Sequence, residues 1–326
     1  MNRGRGARGA TRLPLAGALA TLLVVAGCTA GADVLVEADQ PAAMVALADG
    51  GLLVGERLSG RIVRVSAGGD TTPVAVVEVR TDGEQRGLLG LAVDPSDRIF
   101  AAFTRPGDGA IVVAQVAPER RDVWVGPASV DLANGGHIAF GPDGRLVIGI
   151  GSLTDETLIE EPGVPNGKLL TLDPDGDPGQ EPVVLASGFH NPFAFVVAPD
   201  GDIYVGDNSP GDEPERLLEV RAPLVTEPQP PPGTPTMPEP TLLASIDAHT
   251  VASGLALLPG GRLAMCTYLG RTLQLWQLDE ISASAVGEPL ASDCLLGVVT
   301  LADGRLAYAT GDDVRVVAGA ASTSAN

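Results

Sequence analysis

The chain has 326 residues, of which 44% are hydrophobic but only 3% aromatic, and Gly (42) and Pro (27) together exceed a fifth of it. Turns are therefore dense and the core is built from Val, Leu, Ile and Ala, which excludes a coiled coil, a helical bundle and a disordered chain. A formal charge of −20, from 21 basic and 41 acidic residues, repels phosphate backbones, and no downstream run of Lys or Arg offsets it, so nucleic acid is excluded as a partner.

At the start of the chain Arg3, Arg5, Arg8 and Arg12 precede an apolar run from Leu13 to Ala26. That run is short for a bilayer span and reads as an export signal. Val25-Ala26-Gly27-Cys28 follows and resembles the bacterial lipobox, which makes Cys28 the expected lipidated first residue of the mature chain. Residues 1–27 are then a leader and 28–38 a short tether. The alternative is cleavage after Ala30-Gly31-Ala32, which releases a soluble protein. Loss of residues 1–27 removes four Arg and no acid, so the charge moves from −20 to −24. An acylated Cys holds a protein on its membrane, and the expected address is the bacterial cell envelope, on the periplasmic or extracellular face, as a monomer. Cys266 and Cys294 are, in an exported chain, either an oxidised pair or two separate buried thiols.

From residue 39 to 319 one outline recurs. Leu47-Ala48-Asp49-Gly50-Gly51-Leu52, Leu91-Ala92-Val93-Asp94-Pro95 and Ala139-Phe140-Gly141-Pro142-Asp143-Gly144-Arg145-Leu146 share it. So do Val197-Ala198-Pro199-Asp200-Gly201-Asp202-Ile203, Leu258-Pro259-Gly260-Gly261-Arg262-Leu263 and Leu301-Ala302-Asp303-Gly304-Arg305-Leu306. Each is an apolar strand, a tight turn and a second apolar strand. Asp-Gly and Gly-Gly between apolar runs mark hairpins because such turns need positive φ. Third strands follow at 60–65, 110–116 and 272–278. The spacing is that of four-stranded propeller blades, and six units predict an all-β, six-bladed β-propeller. Asp279 to Ser284 reads as a short helix-like connector. The Pro-rich stretch 226–240 reads as an extended loop between blades four and five, and 320–326 as a disordered tail.

Three stretches, Gly87-Leu88-Leu89-Gly90-Leu91-Ala92-Val93-Asp94-Pro95, Asn134-Gly135-Gly136-His137-Ile138-Ala139-Phe140 and Gly167-Lys168-Leu169-Leu170, come in this order along the chain. Gly188-Phe189-His190-Asn191-Pro192 and Asp207-Asn208-Ser209-Pro210 continue the series. Together they resemble the signatures of the soluble glucose/sorbosone and aldose sugar dehydrogenases, across essentially the whole mature chain. The resemblance implies an exported propeller that holds pyrroloquinoline quinone (PQQ) and calcium at its axial mouth and oxidises aldoses to lactones. On that pattern Asn134, His190, Asn191 and Asn208 fall at cofactor-binding positions, and Ser209, Pro210 and Asp207 at the metal turn. Asp212, Glu213 and Glu215 add acidic density beside that turn.

The pattern is broken where the chemistry lies. Ala133 stands where the family carries its catalytic His, His190 stands for an Arg, and an Arg expected near Leu296-Gly297-Val298 is missing. His137 is the remaining candidate base, against a His held at a strand edge. Two other functions follow from these losses. One is a non-catalytic propeller that binds a sugar, a glycan or a protein at the same mouth. The other, through a looser likeness to gluconolactonases, is a metal-dependent lactonase using Asp39, Asn134, Asn191 and Asp207. His249 has no motif around it and reads as a surface residue.

Overall fold

The computed structural model describes residues 32–221 and 239–319, and within them the predicted all-β propeller is present. The first blade comprises Ala43–Ala46, Leu52–Gly55, Arg61–Val65 and Thr71–Val76; the second Leu88–Val93, Ile99–Thr104, Ala110–Ala117 and Arg121–Ala128. The third has Gly135–Phe140, Leu146–Ile150, Lys168–Leu172 and Val183–Ser187, and the fourth Ala194–Val197, Ile203–Asp207, Glu215–Val220 and Thr241–Ile246. The fifth has Ala252–Leu258, Arg262–Thr267, Leu273–Leu278 and Ala283–Ala291; the sixth has Gly297–Thr300, Leu306–Ala309 and Asp313–Val317, completed on its outside by Asp33–Glu37. Every blade is antiparallel. The first strand of each touches the first strand of the next, and Ala43–Ala46 against Gly297–Thr300 closes the ring.

The apolar runs of the sequence are buried between blades, and one hydrophobic cluster fills each of the six junctions. Neighbouring first strands approach closely because small residues line them. A Cβ on Gly90 would lie 2.7 Å from the Gly136 carbonyl oxygen on the next first strand, and one on Gly149, in the third blade's second strand, 2.4 Å from that of Pro192, just ahead of the fourth blade's first strand. The glycine-rich composition is thus a packing requirement of the ring.

The repeated Pro-Asp-Gly turns join the first and second strands of their blades. In five of them an Asp side chain accepts the amide two residues on: Asp49 from Gly51, Asp94 from Ser96, Asp143 from Arg145, Asp200 from Asp202 and Asp303 from Arg305. This local bond is why Asp is favoured there. All of these turns lie at the end of the ring where the inner strands finish, here called the lower end. The opposite, upper end is where the inner strands begin.

Three expectations need correction. The stretch 28–38 is not a plain tether, because Asp33–Glu37 pairs with Asp313–Val317 in the sixth blade. The Pro-rich stretch falls largely on 222–238, outside the described residues, but the strands on either side of it, Glu215–Val220 and Thr241–Ile246, are neighbours in the fourth blade. It therefore connects two strands of one blade rather than two blades. Asp279 to Ser284 is a turn, with the Asp279 amide donating to the Ser282 carbonyl, leading into the strand Ala283–Ala291. The described helix lies elsewhere, a single 3-10 turn at Glu156–Leu158 capped by Asp155. Cys266 and Cys294 form a disulfide that ties the fifth blade to the entry of the sixth. The leader, Cys28 and the tail 320–326 lie outside the described residues.

Candidate functional site

The predicted residues do converge. Ala133 and Asn134 precede the inner strand of the third blade and His190 and Asn191 that of the fourth, while Asp207 to Pro210 end that blade's second strand. All lie at the upper end.

Most of their polar atoms are committed to holding blades together. Asn134 is fully buried; its Nδ2 donates to the carbonyls of Gln85 and Val130, and its Oδ1 accepts from the Val130 amide. Asn191 accepts the Gly135 amide at 3.0 Å, tying the fourth blade to the third. Asp207, also fully buried, accepts from the amides of His190 and Asn191 and from Arg216. Asn208 donates from Nδ2 to the Ala252 carbonyl at the start of the fifth blade, while its Oδ1 is buried without a partner. Ser209 donates its amide to Glu215 and its hydroxyl to the Pro214 carbonyl, and Pro210 accepts from the Glu213 amide. Glu215 also accepts from Val251, and burial pushes its carboxyl above the usual carboxylate range. Asp207 to Glu215 thus form a self-bonded loop. No group of three or more His, Cys, Asp or Glu side chains that would hold a metal occurs among the described residues.

Ala133 takes a left-handed backbone, φ 56°, and is held by its own amide and carbonyl. The amide donates to Gln85 Oε1 at 2.7 Å and the carbonyl accepts from Leu153 at 3.0 Å. His190 Nδ1 pairs with Glu156, whose other oxygen accepts from Ser152. Lys168, from the Gly-Lys-Leu motif, is buried and donates Nζ to the carbonyls of Leu158, Ile159 and Asn166. Burial pulls its ammonium below the ordinary lysine range, with Glu160 and Glu161 opposing. It fastens the 152–166 loop rather than facing the mouth. His249 lies on the surface as expected, with Nε2 3.0 Å from Asp212.

His137 differs from the rest. A bulge between Gly135 and Ile138 interrupts the pairing of its strand, and bulges re-aim side chains. Its ring lies edge-on to Phe195, centroids 4.7 Å apart, and lines a cavity of about 510 Å³ along the ring axis. Burial in that wall drives its pKa down to about 4, against a weaker opposing pull from the Phe195 backbone. The imidazole is therefore neutral at pH 7, and it is a weak base compared with one poised near the operating pH. The axial cavity reaches the last residues of five of the six inner strands at the lower end, and the next-to-last, Leu257, of the other. The polar residues predicted to line a pocket at the upper mouth, Asn134, His190, Asn191, Asp207, Asn208, Ser209 and Pro210, do not line it.

A polyanionic quinone needs cationic donors and a base. At the upper end Arg57 donates to Gln40 and to the carbonyls of Glu84 and Arg86, Arg86 to Ser129 and Asp131, and Arg216 to Asp207 and the Gly188 carbonyl. Arg271, exposed on the 268–272 loop, has no side-chain partner among the described residues. One rim guanidinium, with Ala133 where the resemblance expects a base, does not fit that cofactor. The lactonase set fares no better, since Asn134, Asn191 and Asp207 all bind backbone instead of facing a common point. Two residues that motif reasoning passed over also mark this end: Arg57 and, from the fifth blade, the half-exposed Tyr268. Neither belongs to a repeat signature, so nothing in the sequence singles them out.

A family model described as glucose/sorbosone dehydrogenase matches residues 38–216. Among solved structures, the PQQ-bound aldose sugar dehydrogenase of Streptomyces coelicolor superimposes with a TM-score of 0.72 at 24% identity, covering 87% of this chain and 96% of that one. A putative glucose dehydrogenase of Thermus thermophilus gives 0.71 at 25% identity, covering 88% and 99%. The apo-form of the soluble aldose sugar dehydrogenase of Escherichia coli gives 0.72 at 18% identity, again covering 88% and 99%. No curated protein matches the chain in sequence.

Proposed function

Because the chain belongs to the glucose/sorbosone dehydrogenase family, we propose that it is an exported, lipid-anchored, monomeric propeller that holds a sugar or glycan at its upper mouth without oxidising it. The observation that carries this reading is Ala133. It occupies the base position with a methyl group, and Gln85 and Leu153 hold its backbone in place. Arg57, Arg86 and Arg216 are engaged with protein partners, whereas the half-exposed Tyr268 offers an aromatic ring near the mouth, a face suited to an uncharged polyhydroxyl ligand. Export is supported by the Cys266–Cys294 bond, since disulfides persist in oxidising compartments. Anchoring is supported by Cys28 within its lipobox-like segment.

The test is reconstitution of the full chain with PQQ and calcium, followed by dye-linked oxidation of a panel of aldoses and calorimetric titration with sugars and glycans. The expected result is no turnover, together with saturable sugar or glycan binding that Tyr268→Ala weakens. Turnover of any aldose above the cofactor-only control overturns the proposal.

A further inference from the structure

We infer that the axial cavity is a second binding site, taking a neutral, mainly apolar small molecule that enters from the lower end, the end turned toward the membrane. The binding part does not depend on the sugar reading above; the membrane part rests on the lipid anchor at Cys28.

The walls select the ligand. At about 510 Å³ the cavity is within the range of small-molecule sites. Met44, Leu91, Phe195, Leu255 and Val298 are typical of its lining, and no Asp, Glu, Lys or Arg contributes to it. A charged ligand would lose its hydration with nothing to replace it. The polar side chains of the wall are those of His137, Ser253 and Thr300. Thr300 donates its hydroxyl to the Leu257 carbonyl and is committed. Ser253 is 8% exposed, and its Oγ is buried without a partner. A buried hydroxyl left unpaired is costly, so this Oγ, with the neutral ring of His137, suits one hydrogen-bonding group on an otherwise apolar molecule.

The entry is at the lower end. There the wall residues Ala46, Val93, Phe140, Val197 and Thr300 are partly exposed, whereas Ala42 and Met44 toward the upper end are buried. The first strand gives that end its orientation. Asp33 pairs with Val316 at the lower end and Glu37 with Asp313 at the upper end, so the chain arrives from below. Four residues lie between Cys28 and Asp33, and the five Cα steps reach roughly 17 Å when fully extended. A lipid on Cys28 therefore holds the lower opening close to the bilayer.

The chain from residue 29 onward retains every described strand and the ring closure, and it is titrated with N-phenyl-1-naphthylamine, a neutral apolar dye, and with its sulfonated counterpart 8-anilinonaphthalene-1-sulfonate. The expected result is saturable one-to-one binding of the neutral dye, with the sulfonate at least tenfold weaker. Val299→Trp, which narrows the lower opening, lowers the neutral dye's affinity at least tenfold, and Ser253→Ala lowers it a few-fold. No saturable uptake of the neutral dye, equal uptake of the sulfonate, or unchanged binding in Val299→Trp overturns the site.

The membrane orientation is read from the full acylated chain carrying Val299→Trp in phosphatidylcholine vesicles brominated along the acyl chains. Quenching of the added tryptophan beyond that of the wild-type chain supports it; equal quenching overturns it and assigns the ligand to the aqueous phase. Mass spectrometry of Cys28 separates a failure of that orientation from a failure of the anchor itself.

Discussion

The two ends of the ring are built by different means. At the lower end the hairpins close on themselves, five of the six through an Asp side chain bonded to an amide two residues away, and most with a Gly of positive φ, as at Gly144, Gly201 and Gly304. At the upper end bonds run between blades, from Asn191 to Gly135, from Asn208 to Ala252 and from Glu215 to Val251, with the Cys266–Cys294 bridge beside them. A group bonded to its neighbours in sequence leaves the space beside it free; a group bonded across blades fills that space. The motif-bearing end is accordingly committed to structure, and the plain end leaves the axis open.

The largest expected effect breaks the upper end. Asp207→Ala leaves Arg216 and the amides of His190 and Asn191 without their shared acceptor, and removing one partner of a buried ion pair costs about 3–5 kcal/mol. Thermal unfolding followed by circular dichroism should fall by about 10 °C, at about 2–4 °C per kcal/mol for a domain of this size or somewhat smaller. A fall of only a degree or two would show that the blades are not tied there.

An intermediate effect sharpens the contrast from inside the cavity. His137 has a folded-state pKa of about 4 against an ordinary value of 6.5. Between these values the unfolded chain takes up a proton that the folded chain refuses, so stability falls as pH drops from 6.5 to 4 and this contribution is flat outside that window. At about 1.4 kcal/mol per pKa unit the loss is at most about 3 kcal/mol. Denaturant titrations at pH 7 and pH 4.5 should show a smaller difference for His137→Gln than for the wild-type chain; equal differences would place the acid sensitivity elsewhere.

The smallest effect tests the lower end. Gly144 has φ +79° and open space where a Cβ would stand, so Gly144→Ala meets only the cost of a left-handed backbone, about 1 kcal/mol. Unfolding should shift by a few degrees and leave binding in the cavity unchanged. A shift as large as that of Asp207→Ala would erase the distinction between the two ends.

The ring itself was readable from the sequence because its turns are chemically explicit: Asp-Gly and Gly-Gly between apolar runs have few other uses. The closing strand was not, since Asp33–Glu37 is an outer strand with mixed burial and no clean alternation. The Pro-rich stretch was misplaced because the turn repeats mark only the first hairpin of each blade, leaving the third-to-fourth connection without a signature. For the site, motif order brought the right residues to one end, but an Asn beside Gly-Gly looks the same in sequence whether its amide faces a ligand or the backbone of the next blade. His137 was visible as a residue and invisible as a neutral one, because its charge state depends on a wall assembled from all six blades.

Asp33–Glu37, the first described strand, hydrogen-bonds to Asp313–Val317, the last, across roughly 280 residues of chain. A strand synthesised early must therefore wait for nearly all of the remaining chain before finding its partner. Pairings this distant are slow to form, and until then the sixth sheet presents an unpaired edge of the kind other chains join. Completion of the sixth blade is therefore expected late in folding, and until then that edge is open to misassembly.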